Sequence, residues 1–176
     1  MADDVRWSTS AYPVPERSKT TKQEAEVEPL DYATVLRYSR GQETFAKLMR
    51  WTPTSISAAC EIGRSLFDQG RLAEARTVFE CVTSANPHDG YAMGALGAVY
   101  RGLEFHERAE TALRAALALR PKLAFGWIQL IEMLIETDRH RDAHGHFATA
   151  LEHVEPGPMR ERLMSLEPLL RGTPLS

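Results

Sequence analysis

The chain has 176 residues, 43% of them hydrophobic and 26% charged, with a formal net charge of −3. That length holds one ordinary domain and is too short for two well-buried ones, and the composition is that of a folded chain rather than a disordered one. Interspersed acids and bases lack the basic stripe that phosphate neutralisation needs, no run approaches the roughly 20 apolar residues of a spanning helix, and the start has acids (Asp3, Asp4) where a secretory leader carries bases; nucleic acid and membrane insertion are not expected.

Residues 1–28 read as a flexible polar arm. They hold few aliphatics, two prolines (Pro13, Pro15) and a charged stretch from Lys22 to Glu28, too little apolar surface to offset the entropy of ordering. Trp7 and Tyr12 stand out against that background. Two readings are open for them: exposed linker aromatics, or a short anchor that docks on a partner or on the protein's own groove.

Residues 29–55 carry an N-terminal helix, centred on 31–50, that matches the second half of a 34-residue unit repeated through the rest of the chain. Tyr38, Gly41, Phe45, Leu48 and Pro53 fall one period before Leu72, Ala75, Phe79, Val82 and Pro87. The match predicts a degenerate half repeat whose first helix is lost to Pro29 and the polar arm, with Gly41 at a helix crossing. The other reading of Gly41 is that it ends one helix and starts another.

From 56 to 157 the period is explicit. Ala75, Ala109 and Ala143 are 34 apart, and the same shift relates Ile62, Leu96 and Leu130, Gly63 and Gly97, Phe79, Leu113 and Phe147, and Pro87 and Pro121. The glycines and alanines predict close helix crossings, while Phe79, Tyr100, Leu113, Trp127 and Phe147 fill the volume between neighbouring pairs. Pro87 and Pro121 stop the second helices, giving hairpins at about 56–89, 90–123 and 124–157. The third is imperfect, with Ile131 at the small place and Pro156 one position late. The series Met93-x-x-Leu96-Gly97-x-x-Tyr100, Ala109-x-x-x-Leu113 and Pro121, with Trp127 in the third unit, resembles the tetratricopeptide family. That resemblance implies an all-α solenoid of three stacked helix hairpins.

Residues 158–176 place Met159, Leu163, Leu166, Leu169 and Leu170 on one helical face, which predicts a capping helix over the last apolar surface of the stack. Pro168 and Gly172-Thr173-Pro174 would finish it.

Candidate chemistry is sparse. His140 and His144 lie four apart on a predicted helix, a spacing at which two imidazoles can share a metal, but no glutamate stands where a zinc hydrolase needs one and His146 points elsewhere, so packed or solvated histidines are expected rather than a metal site. His88, His106 and His153 are isolated. No phosphate-cradling glycine loop and no strand are expected. Cys60 has no base nearby and reads as a structural thiol. With Cys81 it forms neither a metal-type pair nor a disulfide framework, which fits a reducing cytoplasm. No enzyme activity and no cofactor are expected.

In the tetratricopeptide family the first helices line a concave groove, and the register assigns it Ser57, Cys60, Arg64, Phe67 and Asp68, then Tyr91, Gly94, Ala98 and Arg101, then Phe125, Ile128, Glu132 and Ile135. Some family members hold the C-terminal carboxylate of heat-shock chaperones with lysines and asparagines; Cys60 and Arg64 stand where the first such pair would be, so that clamp is not expected. What is expected is an aromatic and aliphatic trough (Phe67, Tyr91, Phe125, Ile128, Ile135) floored by Gly94 and Ala98, suited to an extended peptide, with Arg64, Arg101 and Glu132 fixing its register. The competing reading is that some of these residues pack under the N-terminal helix or a dimer partner.

The segments from Asp89 to Ala98 (DGYAMGALGA) and from Gly63 to Ala75 (GRSLFDQGRLAEA) are similar to those of the class II chaperones of bacterial type III secretion, which hold translocator proteins in the cytoplasm. This resemblance implies a cytoplasmic, non-catalytic chaperone holding an extended segment of a secreted client. The alternative is a structural adaptor bound through its convex face or N-terminal helix. A homodimer through that helix is compatible with both.

Overall fold

Every described element is helical, in a computed structural model that describes residues 32–170. Trp7, Tyr12 and the Gly172-Thr173-Pro174 stop lie outside the described residues. The elements run α1 (Tyr32–Ser39), α2 (Phe45–Leu48), α3 (Pro53–Asp68), α4 (Leu72–Ala85), α5 (Gly90–Gly102), α6 (His106–Leu119), α7 (Ala124–Glu136), α8 (His140–His153), α9 (Pro158–Met164) and α10 (Glu167–Leu170). Helices α3 to α8 form three hairpins, α3/α4, α5/α6 and α7/α8, and each second helix packs on the first helix of the next pair.

Local chemistry explains the starts and stops. Thr52 caps α3 by accepting the Ser55 N–H at 3.1 Å, with Pro53 in the first turn where its missing N–H is harmless. Asp89 caps α5 by accepting the N–H groups of Tyr91 and Ala92. The turn inside each hairpin is built differently and identically three times: Gly70, Glu104 and Asp138 adopt left-handed backbone at φ 73°, 61° and 57°. In each, the next residue donates its N–H back across the turn, Arg71 to Leu66, Phe105 to Tyr100 and Arg139 to Leu134. This closes the Schellman motif that satisfies orphan carbonyls at a helix end.

The crossings are as tight as the small residues predict. A Cβ on Gly63 would sit 2.8 Å from the Phe79 ring, and one on Gly97 would sit 2.6 Å from Leu113 Cγ. Phe79 and Leu113 are in turn fully buried, each contributing about 1.5–3 kcal/mol by removal from water. The third hairpin has Ile131 at the equivalent place, buried beside Phe147. Two apolar clusters result, one around Phe79, Val82 and Val99, the other around Leu113, Leu130, Leu134, Phe147 and Leu163.

The ends of the stack depart from expectation. The helix expected over 31–50 is broken: α1 stops at Ser39, Gly41 takes φ 69°, and its N–H bonds to the Tyr38 carbonyl while that of Gln42 reaches Arg37. A Cβ on Gly41 would meet nothing within 4 Å, so its role is to reverse the chain, not to admit a neighbouring helix. The cap is likewise two short helices instead of one. Leu163, Leu166 and Leu170 are buried, but the bend near Ser165 turns Leu169 outward, and Pro168 sits in the first turn of α10, where proline is tolerated, instead of ending a helix. Arg160 ties α9 down by donating to the Leu151 and Val154 carbonyls at the end of α8.

Candidate peptide-binding groove

Helices α3, α5, α7 and α9 lie side by side, so the first helices and the cap share one face. Alanine and glycine along α5 let its neighbours approach, and the large residues at its start reach across the seams. Cys60, Tyr91, Ala98 and Phe125 are therefore buried in one cluster, edged by Phe67 and Met159, and Ile128 is buried in the other. Gly94 faces the seam between α6 and α7, where a Cβ would be 2.9 Å from Leu123 Cδ2. This corrects the open trough: Cys60, Tyr91, Gly94, Ala98, Phe125 and Ile128 are buried, because adjacent first helices pack on each other where a wide hollow was expected. Arg64, Phe67, Arg101, Glu132 and Ile135 are half-buried.

What stays open is a recess of about 470 Å³ lined by Phe67, Ala98, Arg101, Gly102, Glu104, His106, Gln129 and Glu136. Arg101 organises it. Its Nη1 donates to Gln129 Oε1 at 2.9 Å and to Glu132 at 2.5 Å, and its Nε and Nη2 donate to Glu136 at 3.0 and 2.5 Å. Burial opposes the guanidinium charge, but the bonds to Glu136 and Glu132 outweigh it and raise the pKa further. Glu132 also lies 3.5 Å from Arg162 of α9, tying the cap to the groove. Arg64 pairs with Glu61 at 2.6 Å and Asp68 at 3.3 Å on its own helix. The charges expected to fix a guest's register are thus matched within the chain, and Arg101 acts as a bridge between repeats.

Gln129, Glu136, Glu104, Gly102 and His106 are the recess residues that the register did not assign. A signal for them existed: Arg101 and Glu136 have opposite charge at nearly the same place in consecutive repeats, the arrangement that lets neighbouring hairpins pair.

The reactive-group expectations resolve plainly. The Cys60 thiol is pushed up to about 12 by burial, then by Asp89 and Glu61, and so stays protonated. His140 Nε2 lies 3.7 Å from Asp138, and His144 is exposed. His153, expected to be isolated, stacks on the Trp127 ring at a centroid distance of 6.3 Å, and His146 approaches the same ring at 6.0 Å. Among the described residues no group of three or more His, Cys, Asp or Glu side chains is placed to hold a metal ion, and no helix is long and apolar enough to cross a membrane.

A second recess, of about 460 Å³, opens on the other face of the second hairpin, lined by Met93, Leu96, Tyr100, Glu107, Arg108, Thr111, Ala112 and Ala115. Tyr100 OH donates to Glu80 of α4 at 2.8 Å beside it.

No sequence-family model matches the chain, and no curated protein matches it. Solved structures do. The Yersinia enterocolitica type III secretion translocator chaperone SycD superposes with a TM-score of 0.66 at 16% identity, over 74% of this chain and 98% of its own. SycD in complex with a peptide of the translocator YopD gives 0.62 at 15% identity, over 68% and 92%. The first tetratricopeptide domain of Spaghetti (RPAP3), bound to the HSP90 peptide SRMEEVD, gives 0.56 at 18% identity, over 66% and 94%. The fold is the tetratricopeptide-type solenoid, with an N-terminal helix and a C-terminal cap.

Proposed function

We propose that the protein is a non-catalytic, cytoplasmic chaperone that holds an extended segment of a secreted, aggregation-prone client on the face formed by its first helices. One observation carries this reading: the recess at Phe67 and Arg101 joins apolar walls to carboxylates and an amide, the mixture that anchors one side chain of an extended chain while satisfying its backbone. The likeness in fold to a translocator chaperone seen with a client peptide supports it. Affinity would come from a client side chain buried against Phe67, Ala98 and Gly102, with Ile135 and Glu132 beside it. Cys60, Tyr91, Gly94, Phe125 and Ile128 would set the floor beneath the guest through their packing.

A second reading, a structural adaptor bound through the opposite face or the N-terminal helix, is favoured by the apolar recess at Met93 and Leu96 and by the exposed Val35, Tyr38, Phe45 and Met49. The same exposed residues would serve a homodimer. Photo-crosslinking separates the readings. A crosslinker in place of Phe67 captures a secreted apolar polypeptide in the native cell if the chaperone reading holds, and that polypeptide loses solubility when the protein is removed. Capture through Met93 alone, in a stoichiometric complex, sinks the chaperone reading in favour of the adaptor.

A further inference from the structure

The Phe67–Arg101 recess, taken as the guest site on the reading above, has a chemistry that matches a segment of this same chain. Its apolar side is Phe67, Ala98 and Gly102; its polar side is the Arg101 guanidinium and the Glu136 carboxylate. A large flat side chain that donates but does not accept fits this mixture, because its ring covers Phe67 and the guanidinium while its N–H meets a carboxylate. Indole is that group. Gln129 adds an independent observation. Arg101 can only donate, so the amide oxygen must face it, which leaves Nε2 as a buried donor with no partner. An unmade bond of this kind costs about 1–3 kcal/mol, and the backbone carbonyl of an extended guest would supply the acceptor.

Residues 1–31 contain one segment with these properties, Trp7 to Pro15. Trp7 and Tyr12 are the aromatic residues of that stretch, and Pro13 and Pro15 offer carbonyls without adding N–H donors that would need partners of their own. The following Arg17, Lys19 and Lys22 are opposite in charge to Glu104 and Asp138, which follow the ends of α5 and α7. The tether reaches: the chain from Trp7 to Tyr32 spans up to about 80 Å when extended, against roughly 20 Å for the length of α5. Such a linker sets an effective concentration of about millimolar, enough for a weak contact to stay made.

We infer that the Trp7–Pro15 segment is a tethered stand-in for the client, docking Trp7 in the Phe67–Arg101 recess so that a client must displace it. The arm shields the apolar recess between clients and sets a threshold that a guest has to exceed.

The test labels the full chain with 5-fluorotryptophan and assigns the fluorine signals of Trp7, Trp51 and Trp127 with single Trp→Phe variants. Docking displaces the Trp7 signal from its value in a free peptide of residues 5–16, independently of protein concentration, and Phe67→Ala returns it to that value while the Trp127 signal reports an intact fold. The same peptide added in trans binds the full-length Trp7→Ala protein about tenfold more tightly than wild type. A wild-type Trp7 signal at the free-peptide position overturns the inference. If the Phe67 crosslinker nevertheless captures a secreted client, the chaperone reading survives alone; if it captures none, both fall. Release of Trp7 on dilution means that a second copy supplies the arm, which also overturns the inference.

Discussion

The two ends of the stack present the same repeat position in opposite circumstances. Ile62, Leu96 and Leu130 are one period apart, yet Ile62 is 58% exposed while Leu96 is 5% and Leu130 0% exposed. At the C-terminal end α9 and α10 lay Leu163, Leu166 and Leu170 onto the last hairpin. At the N-terminal end α1 and α2 are short, α2 packs on α4, and Val35, Tyr38, Phe45 and Met49 stay exposed with Ile62. A repeat position fixes which way a side chain points; a neighbour decides whether that direction is buried. Among the described residues, one end of this solenoid is closed by its own helices and the other presents an apolar surface, where a partner or second copy would gain most from docking.

Truncation is the most direct way to break this contrast. Leu130→Ala should destabilise by about 2–5 kcal/mol and Ile62→Ala by no more than about 0.5 kcal/mol in urea unfolding. Equal losses would mean that the N-terminal face is covered in solution. A smaller effect sharpens the distinction between crossing and turn glycines. Gly97→Ala pushes a methyl into Leu113 and should cost about 1–3 kcal/mol, whereas Gly41→Ala meets no neighbour and should cost only the left-handed backbone strain of about 1 kcal/mol. Thermal unfolding of the two variants checks the order.

The hairpin turns supply a reversed pair. Glu104→Gly should stabilise by up to about 1 kcal/mol by relieving positive φ, while Gly70→Ala, at the matching place, should destabilise by a similar amount. Asp138→Gly should gain less than Glu104→Gly, because aspartate tolerates this conformation better. A gain in the order Asp138 above Glu104 would mean that side-chain contacts, not backbone strain, govern these turns.

The smallest expected effect is pH-dependent. Burial first, then Arg114, lowers the His146 pKa from its ordinary value, so the folded state favours the neutral ring. The sign follows from linkage: this contribution is complete above the unfolded value near 6.5 and is lost as pH falls below it toward the lowered folded value. Stability measured on either side of that window should fall more steeply with acid in wild type than in His146→Phe, with Trp127 fluorescence as a local reporter of the neighbouring ring. Parallel curves would remove His146 from the account.

Much of this architecture was legible because a 34-residue period needs only identity and spacing to be seen. Gly63 and Gly97 announced their crossings, since close approach of helix backbones leaves small residues as its trace. Gly41 left two readings open, because a glycine at a crossing and a glycine at a left-handed turn look alike in one chain, and it is the second, the end of one helix before the next, that the fold adopts. The groove was harder. Its register named Phe67, Ala98 and Arg101, which do line the recess, but five others disappear into seams and five recess residues were missed.

The amino-acid order by itself determined the six helices of the repeats, their pairing into hairpins and the phase of each face, because these rest on local spacing, caps and prolines. Only the packed chain decided how far α3, α5 and α7 close on one another, which charges cancel within the protein, and where a recess remains. Those outcomes depend on side-chain volumes from different repeats meeting across a seam, and no position along a single repeat carries that information.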